Sequence, residues 1–185
     1  MLKAIVADCE VRMNKSVEKL RLEMAHIRTG KASVGLVEPL KVEVYGTEMP
    51  ITQVASLSTP DARTIVIQPW DRGTIGAIEK AIQKSDLGLN PMSDGTLIRL
   101  AVPPLTEERR RELVKVVKKY AEEAKVALRN IRRDANEHIK REEKNHEVPE
   151  DDSRKTQERI QEMTDKHIKD MDHLFELKEK EILET

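Results

Sequence analysis

The sequence predicts an α+β protein: a long antiparallel three-helix bundle with a small β/α/β domain inserted between its first and second helices, L-shaped as a whole. Three observations predict it. Residues 105–145 contain no Gly and no Pro, and their apolar residues recur at steps of three and four. Residues 30–104 hold every Gly and nearly every Pro, with short alternating runs typical of strands. Charged residues make up 36% of the chain and aromatic residues only 2%, which suits long amphipathic helices better than an aromatic core. A helix of about 35–40 residues would be about 55–60 Å long at 1.5 Å per residue. That is too long for the middle of a globule, so other long helices must lie against it.

The elements follow in order. Leu2 to about Thr29 reads as a helix, with Ile5, Cys9, Met13, Val17, Leu20, Met24 and Ile27 on one stripe and Gly30 suited to its stop. Leu40–Tyr45 alternates as a half-buried strand, with Gly46-Thr47 as the turn. Residues 53–58 and 63–68 read as further strands, reversed at Pro60-Asp61. Thr74 can cap a short helix reaching Ser85, with Ile75, Ile78, Ala81 and Ile82 inward. Residues 87–91 read as a loop and 97–102 as a closing strand. Pro103-Pro104 ends the insert with a stiff exit.

The long helix begins next. Thr106 is its expected N-cap, and Glu107 and Glu108 suit the positive end of the helix dipole. Leu113, Val117, Tyr120, Ala124, Leu128, Ile131, Ala135 and His138/Ile139 form its apolar stripe. After Asn145, Pro149 and Glu150-Asp151-Asp152 read as a helix–helix turn with an acidic first turn. A third helix from Ser153 to about Leu183 carries Ile160, Met163, His167, Met171, Leu174, Leu177/Lys178 and Ile182 inward. The expected domains are therefore 1–29 with 105–185, the bundle, and 30–104, the insert. Two crossings join them, and Thr29, Gly30, Pro103, Pro104 and Leu105 are the expected hinge.

The outward face of the second helix carries the functional signal. At about 100° per residue, Lys118, Lys125, Arg129, Arg133, Asn136 and Lys140 point away from the stripe. Arg132 stands at its edge and Asp134 points to the other side. Glu137 is the one acid placed to pair with the cluster. A charge run is ordinarily a solvated face. Here the cations are largely Arg, clustered at i, i+3 and i+4, and they outnumber their acidic partners. The guanidinium fork matches phosphate, so the pattern points to a nucleic-acid backbone. Arg28 and Lys31 allow two readings: they complement the C-terminal dipole of the first helix, or they add phosphate contacts beside the domain joint.

Other chemistry is absent from the sequence. Net charge is −1, so attraction to nucleic acid must be local. Cys9 is the single cysteine and reads as a small buried apolar residue. No phosphate loop, nucleophile elbow or HExxH motif occurs. The five histidines lack metal-ligand spacing, and His167 lies on a core stripe. The sequence calls for no enzyme activity, no cofactor and no metal. It has no run of signal-peptide or membrane-span length, which places it in the cytoplasm.

Arg28-Thr29-Gly30, residues 85–91 (SDLGLNP), residues 103–110 (PPLTEERR), residues 129–136 (RNIRRDAN) and Glu150-Asp151-Asp152 closely resemble ribosome recycling factor. The resemblance spans nearly the whole chain in one order. Lys31 stands where the family often has Arg, leaving a point charge in place of a fork. The resemblance implies a tRNA-sized bundle and head, and binding to the large ribosomal subunit after termination. It implies splitting of the ribosome with elongation factor G and that factor's GTP hydrolysis. Arg129, Arg132 and Arg133 would hold large-subunit RNA, with Arg28 and Lys31 assisting, and the head would be the lever. The chain is expected to act as a monomer. The competing expectation is a charged helical adaptor that binds partner proteins. A tRNA-arm-like module of a synthetase is disfavoured because no catalytic domain follows.

Overall fold

Apolar spacing and breakers set the element order. The chain runs α1 (Leu2–Ala25), β1 (Lys41–Val44), β2 (Thr47–Pro50), a single turn α2 (Ile51–Val54), β3 (Ala55–Asp61), β4 (Thr64–Pro69), α3 (Ile75–Lys84), β5 (Pro91–Ser93), β6 (Ile98–Ala101), α4 (Glu107–Lys144) and α5 (Glu150–Glu184). The computed structural model describes residues 1–184. It divides into a unit of residues 1–28 and 107–184 and a unit of residues 29–106.

In the first unit α1, α4 and α5 bury their stripes together. Ile5, Cys9, Met13, Val17, Leu20 and Met24 are buried on α1. The helix stops earlier than expected, at Ala25. The Ile27 amide bonds to the Met24 carbonyl, an i→i−3 closure that tightens the last turn. Gly30 therefore does not end α1. On α4 the buried residues are Leu113, Val117, Ala121, Leu128, Ile131, Ala135 and Ile139. Tyr120 and Ala124, expected inside, are only half-buried. Ala121 takes the buried position instead, and a half-buried Tyr suits an amphipathic ring that can keep its hydroxyl in water.

α4 ends in a Schellman motif. His146 takes φ 59°, its amide bonds to the Glu143 carbonyl, and the Glu147 amide bonds to the Glu142 carbonyl. α5 starts at Glu150, so all three acids stand in its first turn. Ser153 is fully buried; its hydroxyl donates to the Glu143 carboxylate, joining the two helix ends. His167 is buried with Nδ1 2.7 Å from the Met163 carbonyl and Nε2 2.8 Å from the Asn14 side-chain amide. Pairs across α4 and α5 join Arg110 to the Leu183 carbonyl, Lys125 to Asp172, Arg132 to Gln161 and Glu143 to Ser153. One set of numbers rises as the other falls, so the helices are antiparallel.

The second unit holds a β1–β2 hairpin and an antiparallel sheet in the order β3-β4-β6-β5. Its core includes Val42, Val44, Ile51, Ile65, Ile67, Ile78, Ile82, Ile98 and Leu100. Several sequence expectations are corrected here. The hairpin turn is Tyr45-Gly46, both at positive φ (54° and 76°), and Val44 pairs with Thr47. That is the primed geometry a two-residue hairpin needs. Thr47 thus opens β2, which was not expected. Gln53 and Val54 lie in α2 instead of a strand. β3 runs through Pro60 to Asp61, with its register shifting between Ser58 and Asp61. It is an edge strand, where a missing N–H does no harm. The reversal falls at Ala62-Arg63, held by the Arg63 amide donating to Asp61 Oδ1 at 2.8 Å.

Thr74 does not cap α3, because its hydroxyl donates backward to the Asp71 carbonyl at 2.7 Å. Asp71 instead accepts the Gly73 amide at 2.9 Å and caps the preceding 72–74 turn. β5 begins at Pro91, at the end of the expected loop.

Leu128 is fully buried, so Leu128→Ala should lower stability by about 2–5 kcal/mol through lost transfer energy and a residual cavity. Chemical denaturation of the full chain measures this. In the β5–β6 turn Asp94 Oδ1 accepts from the Thr96 hydroxyl (2.7 Å), the Thr96 amide (2.9 Å) and the Leu97 amide (3.0 Å). These bonds, the hydroxyl foremost, hold its carboxyl at about 2. A depressed folded value gives stability that is present above the ordinary carboxylate range near ~4 and is lost as pH falls toward about 2. An NMR titration should place the Asp94 midpoint near that low value. Asp94→Asn should remove its part of the acid limb of the stability profile.

Candidate nucleic-acid interface

α4 positions the basic row. It has 38 residues, about 57 Å of helix, and its buried stripe fixes which side chains face out. Arg129 and Arg133, one turn apart, are both exposed. Neither forms an ion pair or hydrogen bond among the described residues. Lys118 and Lys140 on the same side are exposed and unpaired in the same sense. Glu137, expected to pair with the cluster, makes no ion pair with Arg133 among the described residues. An acid placed C-terminal to its cation is the weaker i,i+4 order, and exposed pairs gain little. Asp134 does point to the other side: it meets Arg12 of α1 at 3.1 Å.

Two members of the expected row are turned toward α5. Lys125, expected to point outward, does not. Its side chain is only 16% exposed and pairs with Asp172, with Glu122 at 3.7 Å. The packing of α5 along that flank draws it in. Arg132, at the edge of the stripe, is half-buried. Its Nη1 donates to Gln161 Oε1 at 3.0 Å, and its Nε is buried without a partner. Asn136 is also half-buried, with Oδ1 buried and unpartnered. The three arginines therefore divide, two toward solvent and one along the α4–α5 seam. Gln161 was missed in the sequence because only the pairing register of the two helices brings it to Arg132.

Arg28 is exposed in the first unit, past the end of α1, and Lys31 is exposed in the second. Thr29 is buried and Gly30 takes φ 78°. A Cβ on Gly30 would lie 3.0 Å from Leu105 Cγ and 3.2 Å from the Leu105 amide nitrogen. Only glycine meets both demands, the left-handed turn and the close approach. Pro103 and Pro104 are exposed and Leu105 is half-buried. The Ala32 amide donates to the Ala62 carbonyl (2.7 Å) and the Val102 amide to the Arg63 carbonyl (2.8 Å). One two-residue turn thus holds both crossing segments, a role nothing in its composition announced.

The remaining chemistry is sparse. A cavity of ≈ 300 Å³ is lined by Met1, Ile5, Cys9, Arg12, Asp134 and His138, among others. Burial pushes the Cys9 thiol up, which disfavours a thiolate nucleophile. Among the described residues no group of three or more His, Cys, Asp or Glu is placed to hold a metal. No helix of the described residues is long and apolar enough to cross a membrane.

Comparison with known proteins gives one consistent match. The family model described as "Ribosome recycling factor" matches residues 20–183. The ribosome-recycling factor of Symbiobacterium thermophilum is 56% identical over 185 residues, covering 100% of both chains. That of Nitratidesulfovibrio vulgaris is 55% identical over 183 residues, covering 99% of this chain and 98% of the other. A solution structure of ribosome recycling factor superposes with a TM-score of 0.80 at 47% identity, covering 100% of this chain and 98% of that one. A second structure covers 99% of each chain with a TM-score of 0.65 at 46% identity. It describes the Thermus thermophilus factor and Escherichia coli elongation factor G bound to the E. coli post-termination complex.

Proposed function

The chain belongs to the ribosome recycling factor family, and we propose from that premise how its residues do the family's work. It is a translation factor without an active site of its own. It binds the ribosome after termination and acts with elongation factor G, whose GTP hydrolysis drives the separation of the subunits. This reading puts it in the cytoplasm, with the ribosomes.

One observation carries the assignment of the binding face: Arg129 and Arg133 are exposed and lack internal partners on a helix without Gly or Pro. Guanidinium groups left open in this way can take phosphate oxygens in bidentate contacts. Arg129, Arg132 and Arg133 grip large-subunit RNA, and Arg28 and Lys31 add to that grip. The grip is to the backbone, because the face of α4 that carries Arg129 and Arg133 has no aromatic side chain to stack a base; Tyr120 and His138 lie on the opposite side. The residues 1–29 and 105–185 act as the RNA-binding domain, and the insert 30–104 works as a lever. Thr29, Gly30, Pro103, Pro104 and Leu105 form the joint between them.

Arg129→Ala and Arg133→Ala should each weaken binding to purified large subunits by about 1–3 kcal/mol, the range for charge-assisted contacts. Co-sedimentation over a salt series reads both the loss and the slope, which should fall by about 0.7–0.9 per lost phosphate contact. Unchanged affinity after both arginines are replaced by Gln would instead favour the protein-adaptor reading.

Gly30→Val forces a β-branched side chain into a left-handed conformation against Leu105. Ribosome splitting in the presence of elongation factor G and GTP should fall steeply. The bundle should keep its helical content by circular dichroism and its affinity for the large subunit. Splitting at the wild-type rate would remove the joint from the mechanism.

A further inference from the structure

Arg132 differs from its two neighbours in being held before any ligand arrives. Nη1 donates to Gln161 Oε1 at 3.0 Å. Nε is buried and bonded to nothing. Nη2 has no partner and is not among the buried unpartnered atoms, so it is the open end of the fork. Gln161 is fixed in turn: its Nε2 donates to Asp165 Oδ1 at 2.9 Å, one turn along α5. That bond decides which end of the amide meets Arg132, because a flipped amide would set NH2 against a guanidinium and leave Asp165 unbonded. Asp165 makes no ion pair among the described residues. Its charge orients Gln161 without neutralising Arg132.

We propose that Gln161, fixed by Asp165, is the positioning residue for Arg132, holding its guanidinium along the α4–α5 seam so that the open amino group faces a ribosomal RNA phosphate. This rests on the reading of Arg132 as a phosphate contact. A neutral amide suits the task better than a carboxylate. It orders a long flexible side chain before binding and leaves its full positive charge for the ligand.

Full-length chains carrying Gln161→Met, Gln161→Glu, Arg132→Ala, and Gln161→Met with Arg132→Ala are compared with wild type for affinity to purified large ribosomal subunits across a salt series. Gln161→Met keeps the side-chain shape and removes the bond. It should weaken affinity about two- to tenfold, the range for one hydrogen bond. Its salt slope should stay unchanged, because Arg132 keeps its charge. In the Arg132→Ala background the same substitution should change nothing. Gln161→Glu should weaken binding and also lower the slope by about 0.7–0.9, because the carboxylate neutralises Arg132. Gln161 is exposed, so Gln161→Met should leave the melting temperature nearly unchanged. The proposal is overturned if Gln161→Met binds as wild type while Arg132→Ala binds weakly. Equal losses in both backgrounds, or a loss matched by a drop in melting temperature, overturn it as well. If Arg132→Ala binds as wild type, the phosphate reading of Arg132 fails first and takes this proposal with it.

Discussion

The antiparallel seam between α4 and α5 is the constraint on which the rest depends. Leu128, Ile131, Ala135 and Ile139 on one side and Ile160, Thr164, His167 and Met171 on the other are buried in the same unit. Burial of these side chains sets the rotation of each helix about its own axis. Rotation then decides the fate of every charge on α4. Lys125 turns inward to Asp172, Arg110 reaches the Leu183 carbonyl and Arg132 reaches Gln161. Arg129 and Arg133 remain open because the seam passes them by. Apolar packing thus selects which cations are engaged and which are presented, though it touches none of their charged ends.

The same logic explains what the sequence could and could not disclose. Residues at the centre of a stripe are decided by their own helix, so Leu113, Val117, Leu128, Ile131 and Ile139 were readable from spacing alone. Residues at a stripe's edge are decided by the neighbouring helix. That is why Lys125 was placed outside, Tyr120 was placed inside, and the Gln161 contact was invisible. In the second unit the long alternating runs were legible, but β2 (TEMP) and β5 (PMS) were not. Short strands that contain Pro carry almost no local preference and form because a partner strand is present. The hairpin turn was misplaced by one residue because Tyr45 adopts a backbone conformation that tyrosine rarely takes. Its hydroxyl donates to Asp71, a contact that holds the Asp71 carboxyl low and the phenol high.

The candidate site was more legible than the fold around it. An Arg-rich i, i+3, i+4 cluster on a long helix announces itself through composition, and the structure leaves Arg129 and Arg133 exposed. The crossing segments were legible as Gly30 and Pro103-Pro104. What restrains them was not. The Ala62-Arg63 turn takes a backbone bond from each segment, and backbone bonds leave no mark in side-chain identity. Both crossings are therefore anchored inside the insert, on the same two residues. If the joint bends as proposed, the bending would fall on Thr29, Gly30 and residues 103–105 rather than on β3 and β4.

A chain with a net charge of −1 gains from concentrating its free cations. Spread evenly, the same charges would attract any polyanion weakly and hold none in register. Gathered on adjacent turns they make a small, oriented patch of positive potential. The mechanical demand points the same way. Arg129 stands 22 residues beyond Glu107 on α4, about 33 Å along the helix. On the proposed reading, a push entering through the insert would have to cross that length before it loads phosphate contacts at Arg129. A Gly or Pro along the way would let the helix kink and dissipate the push. α4 has neither, and each of its turns is backed by the buried seam. The absence of breakers, a sign of helix in the sequence, is on that reading also what would let a protein without catalytic groups carry another protein's work to a distant anchor.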